Sequence, residues 1–332
     1  MRVTVLGAGS FGTCLANTLS LNCDEVRIWA REPELARAIC ARHENPTYLP
    51  GVSLSLKVRG TEHLEEALEG ADMVVCAIPS HAARAVIIRA KPHLPRAIPL
   101  VSVTKGIENG TLATMTEVME DCLPEDFHPY FAVLSGPSFA REVALGMPTA
   151  VTVASVWDKV AQRAQALFQT ENFRVYTSPD VRGVELGGAL KNVIAIAAGI
   201  ADGLGYGDNA RAGIITRGLA EMTRMAVRRG ANPLTLSGLS GLGDLVLTCT
   251  GELSRNRRVG VELGRGRSLE SILEANPQVA EGVKTAQSAR DLGLRHDVEL
   301  PICQQVYCIT HEGKSARVAV GELMTRAARS EF

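Results

Sequence analysis

The stretch "VTVLGAGSFGTCLA", residues 3–16, limits what this chain can fold into more than any other. A β-branched run at residues 3–7 leads into Gly7-x-Gly9-x-x-Gly12, and a helical pattern follows from about Phe11. Between a strand and a helix, each glycine at this spacing has its own task. Gly7 allows a tight turn, Gly9 lets an anion approach the backbone, and Gly12 lets the helix lie close on the sheet. The helix start then offers free N–H groups to that anion. The pattern would mean little alone, where a plain turn explains it as well. Placed behind an N-terminal strand, it predicts a dinucleotide pyrophosphate.

The alternation continues. Apolar runs at residues 25–30, 72–79, 97–105 and 130–138 are separated by helical patterns, which predicts a Rossmann-like, doubly wound parallel sheet of the α/β class. From about residue 178 the strand signals stop. In "SPDVRGVELGG", Ser178 stands where an N-cap belongs and Pro179 at the first helical position, and the rest reads as helices separated by Gly-rich turns. The expected organisation is a dinucleotide-binding domain at 1–178 and an all-α substrate domain at 179–332.

Composition removes several classes of function. A formal charge of −1 and 4% aromatic residues offer neither a basic field nor a stacking platform for nucleic acid. The eight cysteines form no CxxC pair and several lie in apolar runs, so they read as buried, reduced thiols. No histidine pair has metal-ligand spacing, so no metal is expected. A strand pattern directly after Met1 and the lack of an uncharged membrane-length run point to the cytoplasm and to no membrane span.

"RIWAREPE" presents Arg31 and then Glu32 just past the second strand, where an acidic residue would bind a ribose 2′-OH. A guanidinium there suits a 2′-phosphate, so NADPH is preferred over NADH, while Glu32 keeps NAD open and Arg31 also reads as a plain surface residue. "SVTKGIE" puts Lys105 at the carboxyl edge of the sheet, as substrate binder or ordinary loop lysine. "LSGPSFA" sets Gly136, Ser138 and Ala140 on a tight turn at a strand end. "LSGLGDL" holds Asp244 in a Gly-rich loop. In "SRNRRVG", Ser254 can cap a helix whose start, with Arg255 and Asn256, forms either an anion site or a solvated basic turn.

"ELGGALKNVIAIAAGIADGLG", residues 185–205, poses a different problem, because Lys191 interrupts a strongly apolar helix. At 100° per residue, Leu186, Leu190, Val193, Ile194, Ile196 and Ile200 share a core-facing side. Lys191 points the other way, among Gly187, Gly188, Ala195, Ala198 and Gly199. A solvated face would carry charged side chains, whereas these residues suit close approach by another helix or by a ligand.

Taken together, "GAGSFGTCLA", "SVTKGIE", "LSGPSFA", "ELGGALKNVIAIAAGI", "LSGLGDL", "SRNRRVG" and "VAEGVKTA" resemble the NAD(P)-dependent glycerol-3-phosphate dehydrogenase family in its bacterial form, over essentially the whole chain. The resemblance implies reduction of dihydroxyacetone phosphate to sn-glycerol 3-phosphate, a precursor of glycerophospholipids, with NADP or NAD as cofactor. It implies Lys191 as proton donor and acceptor. Substrate contacts would fall on Lys105, Gly136, Ser138, Lys191, Asp244, Ser254, Arg255 and Asn256. Cofactor contacts would fall on Gly7, Gly9, Ser10, Phe11, Gly12, Arg31, Lys105, Ala140, Arg255, Val279 and Glu281. Phe11 departs from the Trp or Tyr frequent at its position. The resemblance further implies a homodimer, and the small residues around Lys191 then read as clearance for a nicotinamide ring and a three-carbon phosphate. The competing readings are a related reductase of 2- or 3-hydroxy acids and a dinucleotide-sensing module without catalysis.

Overall fold

A computed structural model of the chain describes residues 1–275, 280–328, 330 and 331. Its strands are β1 (Arg2–Leu6), β2 (Glu25–Trp29), β3 (Glu44–Asn45), β4 (Leu49–Ser53), β5 (Val58–Thr61), β6 (Met73–Cys76), β7 (Leu100–Ser102), β8 (Phe131–Ser135), β9 (Thr149–Ala154) and β10 (Phe173–Ser178). Eight of them form one sheet in the order β10-β9-β8-β7-β6-β1-β2-β5, and β3 and β4 pair separately. Strand β1, at the switch point between β2 and β6, is parallel to both. In open α/β sheets ligands are held outside the carboxyl ends at such a point.

The expected parallel sheet is present through β8 and then changes. Strand β9 runs antiparallel to β8, and β10 runs parallel to β9, so the last two strands point the opposite way. The period-2 burial of β10, with Phe173 and Val175 inside and Arg174 and Tyr176 outside, is the pattern of a strand with one wet face. Ser178 ends this strand rather than capping the next helix. The cap is Asp180, whose carboxylate accepts from the Gly183 N–H at 2.9 Å. Ser178 Oγ instead accepts from the Asp180 N–H, holding the capping residue itself.

All elements described beyond β10 are helical. Helix Val181–Gly203 is their hub, and 18 of its 23 residues are buried, so its polar side chains must find partners inside the protein. It has the length and apolarity of a membrane span, yet 94% of its apolar window is covered by the protein itself. Glu185 accepts from the Thr116 N–H at 2.8 Å and from Thr116 Oγ1, at the start of helix Met115–Cys122. That contact ties the hub to the sheet half.

The glycines of the hub correct one expectation. A Cβ on Gly187 would lie 2.6 Å from the Ser240 carbonyl oxygen, and one on Gly188 would lie 2.7 Å from Ser135 Oγ. Cβ atoms on Gly199 and Gly203 would overlap the carbonyl oxygens of Arg257 and Val261, where Gly260 and Gly264 of helix Arg255–Gly264 complete the crossing. Protein atoms fill the space at these glycines, backbone at Gly187, Gly199 and Gly203 and the Ser135 side chain at Gly188, so they do not provide ligand clearance. Seven of the eight cysteines are buried as expected, but Cys40 is exposed, and none is in a disulfide.

Candidate active site

The Gly-rich turn follows β1 directly. Gly7 has φ +114°, and a Cβ there would lie 2.5 Å from the Ala77 carbonyl oxygen, so both conformation and space demand glycine. A Cβ on Gly12 would overlap the Gly7 carbonyl. Gly9 differs, because nothing lies within 4 Å of its Cβ position. It is also the N-cap of helix Ser10–Leu19, with no side chain capping that helix start. Open space beside free N–H groups fits a pyrophosphate, which supplies the missing acceptors. Ser10 Oγ turns away to donate to the Tyr48 carbonyl at 2.6 Å. The Phe11 ring lies under Lys105, with Nζ 5.6 Å from its centroid.

Lys105, in the loop after β7, carries the sheet half's charge into the centre of the site. Its Nζ donates to Asp244 Oδ2 at 2.7 Å and to the Gly136 carbonyl at 3.0 Å. Gly136, at φ +147°, takes the chain out of β8, and its carbonyl also accepts from Ser138 Oγ. Ala140 begins the short helix Ala140–Ala144 that follows.

Lys191 meets the same carboxylate from the hub helix. Its Nζ donates to Asp244 Oδ1 at 2.6 Å and to Thr248 Oγ1 at 2.7 Å, while Thr248 donates to the Asp244 carbonyl. Lys191 is 5% exposed and Asp244 1%. Asp244 is not in a loop. It opens helix Asp244–Thr250, directly after a π-helical turn at Leu239–Gly243, and this places its carboxylate between the two ammonium groups.

Burial dominates the acid–base behaviour of Lys191 and lowers its pKa to about 8, with Asp244 opposing the shift and Lys105 adding to it. Burial also acts to raise the pKa of Asp244, but the charges of Lys105 and Lys191 outweigh it and hold the carboxyl below its ordinary value. Two cations and one anion leave the centre with a net charge of +1 and a lysine able to exchange its proton near neutral pH.

The other wall is helix Arg255–Gly264. Ser254 caps it as expected, with Oγ accepting from the Arg257 N–H. Arg255 is exposed and makes no hydrogen bond or ion pair among the described residues, leaving its guanidinium available. The Asn256 side chain is already engaged. Its Nδ2 donates to Asn192 Oδ1 at 2.9 Å and its Oδ1 accepts from the Gly282 N–H, while Asn192 Nδ2 donates to the Lys105 carbonyl at 3.2 Å. This chain of amides joins the loop of Lys105 to the start of helix Glu281–His296. Glu281 accepts from Ser80 Oγ at 2.8 Å. Arg31 stands apart, its side chain 80% exposed and, among the described residues, paired only with neighbouring Glu32. Val279 lies outside the described residues.

Sequence reasoning missed Thr248 and Asn192. Thr248 is four residues beyond Asp244, hence on the same helix face, and that spacing was the available signal. Nothing in the sequence pairs Asn192 with Asn256.

Fold and site together define a nicotinamide-dinucleotide-dependent oxidoreductase. The N-terminal model of the NAD-dependent glycerol-3-phosphate dehydrogenases matches residues 2–161, and the C-terminal model matches residues 180–321. The chain belongs to this family. The NAD(P)+ glycerol-3-phosphate dehydrogenase of Myxococcus xanthus is 68% identical over 332 residues, which is 100% of this chain and 99% of its own. That of Anaeromyxobacter dehalogenans is 55% identical over 100% of both chains. The crystal structure of glycerol-3-phosphate dehydrogenase from Coxiella burnetii matches with a TM-score of 0.92 and 39% identity, covering 98% of this chain and 99% of that one. A ketopantoate reductase from Ralstonia eutropha, at TM-score 0.59 and 17% identity, shares the fold alone.

Proposed function

We propose that this enzyme reduces dihydroxyacetone phosphate to sn-glycerol 3-phosphate with NADPH or NADH, reversibly, and so supplies glycerophospholipid synthesis. The observation that carries the reading is the buried Lys191–Asp244–Lys105 centre, which lies past the carboxyl edge of the sheet and has one cation more than its carboxylate can balance. The reading assigns residues 1–178 to the cofactor and 179–332 to the substrate.

The turn at Gly9 and the helix start behind it would hold the pyrophosphate of the dinucleotide, whose nicotinamide would supply the hydride. As the ketone is reduced, negative charge grows on its oxygen, and a cationic, water-poor centre stabilises that charge. Lys191 Nζ donates its proton to this oxygen. Asp244 and Thr248 fix the direction of the ammonium, and Asp244 remains paired with Lys105 once Lys191 is neutral. The centre then falls from +1 to 0, and the reverse reaction restores the proton. Arginine could not replace Lys191, because a guanidinium holds its proton too firmly.

The substrate phosphate rests at the start of helix Arg255–Gly264. Ser254 Oγ satisfies the Arg257 N–H, leaving the N–H groups of Arg255 and Asn256 for the anion, with the Arg255 guanidinium beside them. In this reading Asn256 contributes its backbone, since its side chain is occupied. Need for a phosphate site separates this substrate from the 2- and 3-hydroxy acids. Arg31 favours NADPH by pairing with its 2′-phosphate. We assign the working protein to the cytoplasm, in keeping with its unpaired cysteines, and expect a homodimer, which light scattering measures directly.

The deciding experiment is oxidation of NADPH by the purified protein when dihydroxyacetone phosphate is added, repeated with NADH. Absence of turnover with both cofactors defeats the assignment, and binding without turnover selects the sensing module instead.

A further inference from the structure

Helix Arg255–Gly264 runs beside the hub helix in a fixed register. Asn256 bonds Asn192, and Cβ atoms on Gly260 and Gly264 would overlap the carbonyl oxygens of Ile196 and Ile200. Each step is four residues on both helices, so the two lie side by side and point the same way for about two turns. Glycine against backbone sets how close they come, but it supplies no directional bond to fix how one is turned on the other. Among the described residues two polar ties cross the seam. One is the hydrogen bond of Asn256 to Asn192, and the other joins Arg257 to Asp202.

Asp202 stands eleven residues beyond Lys191, within about 20° of the same face of the hub. Arg257 Nε and Nη2 both donate to its Oδ2, at 2.8 and 2.7 Å. Arg211, from helix Asp208–Arg228, donates Nε and Nη2 to its Oδ1, at 3.0 and 2.7 Å. The Asp202 side chain is 9% exposed and both its oxygens are occupied, so this carboxylate is committed to the two arginines. Arg257 is held at its main chain as well, with its N–H on Ser254 Oγ at 3.2 Å and its carbonyl oxygen in the space that a Gly199 side chain would need. The first turn thus carries two arginines with different duties. Arg257 is engaged by the hub, and Arg255 is left for a ligand.

We propose that Asp202 and Arg257 are positioning residues for the substrate phosphate. By fixing the turn of helix Arg255–Gly264 against the helix that carries Lys191, they aim the Arg255 guanidinium and the N–H groups of Arg255 and Asn256 at one spot, which an anion at a helix start requires. The inference rests on the dehydrogenase reading, with the phosphate at this helix start, and deepens its account of substrate specificity. Charge alone predicts the reverse of what bracing predicts. Asp202 is an anion near an anion site, so its removal would tighten phosphate binding if only the local potential counted. Acting through Arg257, its removal loosens the helix start and weakens that binding.

The test is steady-state reduction of dihydroxyacetone phosphate by the full-length protein at saturating NADPH, with inorganic phosphate as a competing anion. In Asp202→Asn, which keeps the shape of the side chain, KM and the inhibition constant of inorganic phosphate should both rise about tenfold while kcat stays within about threefold. Arg257→Lys keeps the charge but not the fork, and should raise both constants about threefold. An ion pair that only stabilises the fold would lower the urea midpoint and leave both constants of the folded protein unchanged. Constants unchanged or lowered in Asp202→Asn, or a fall in kcat with both constants intact, overturn the proposal. If Asp202→Asn does not fold, Arg257→Lys decides by the same two constants. The dehydrogenase reading fails separately, through a wild-type protein that does not reduce dihydroxyacetone phosphate or an Arg255→Ala variant with unchanged KM.

Discussion

The sheet half and the helical half use glycine for opposite purposes. At Gly9 the missing side chain leaves open space beside uncapped N–H groups, and the site contributes geometry without charge. At Gly199, Gly203, Gly260 and Gly264 the missing side chains let two helix backbones touch, and the helices so joined carry Lys191 and the turn of Arg255. One half binds with backbone and empty space. The other half reacts with buried side chains whose positions depend on tight packing.

Removing the reacting group sharpens this contrast most. Lys191→Ala should lower turnover by about 10³-fold, the scale of general acid catalysis, with the NADPH dissociation constant within about twofold of the wild type. The variant should remain folded because Asp244 keeps Lys105 as its partner. Loss of NADPH affinity along with turnover would break the division of labour.

A pair of glycine substitutions compares the halves directly. Gly260→Ala forces a Cβ toward the Ile196 carbonyl oxygen and Gly199, and should cost about 3 kcal/mol in urea unfolding. Gly9→Ala meets open space at φ −67° and should change stability by less than about 0.5 kcal/mol while weakening cofactor binding. Equal stability losses would erase the distinction.

The group that exchanges the proton in the proposed reaction, Lys191, belongs to the helical half. Only protonated Lys191 donates, so kcat/KM for ketone reduction should fall as pH rises through about 8, by about tenfold per unit beyond it. Alcohol oxidation needs the neutral amine, and its kcat/KM should rise up to pH about 8 and then level. Cofactor dissociation constants measured with NADH should stay flat over the same range. The smallest effect is expected at the exposed rim. Arg31→Ala should weaken NADPH about fivefold and NADH by less than about twofold, since an exposed charge pair is well screened.

The parts of this site governed by local chemistry were legible in the sequence. Gly7, Gly9 and Gly12 follow a strand at fixed spacing, Ser254 precedes a helix it can cap, and Lys191 has no place on an apolar helix unless something pairs with it. Features set by tertiary contact were not. The small residues beside Lys191 signalled close approach correctly, but their angular positions could not tell protein from ligand, and backbone fills the space at Gly187 and Gly199 and the Ser135 side chain at Gly188. The engagement of the Asn256 side chain could not be read from sequence, because its partners, Asn192 and Gly282, are 64 and 26 residues away. The Asp244 loop proved to be a helix start because a π turn has no distinct sequence signal. Strands β9 and β10 were not separated from their surroundings, and so their reversed direction was missed.

That reversal determines where the catalytic lysine can be. A chain leaving a parallel strand emerges at the carboxyl edge, and a helix started there must travel back along the sheet, away from the cofactor. Strand β10 emerges at the other edge, so the hub helix starts low and climbs. Val184 packs against Val133 in the middle of β8, Gly188 reaches Ser135 at its end, and Lys191 follows about 10 Å above Val184, at 1.5 Å per residue. Two strands running backwards thus convert a helix that would retreat from the reaction into one that arrives at it.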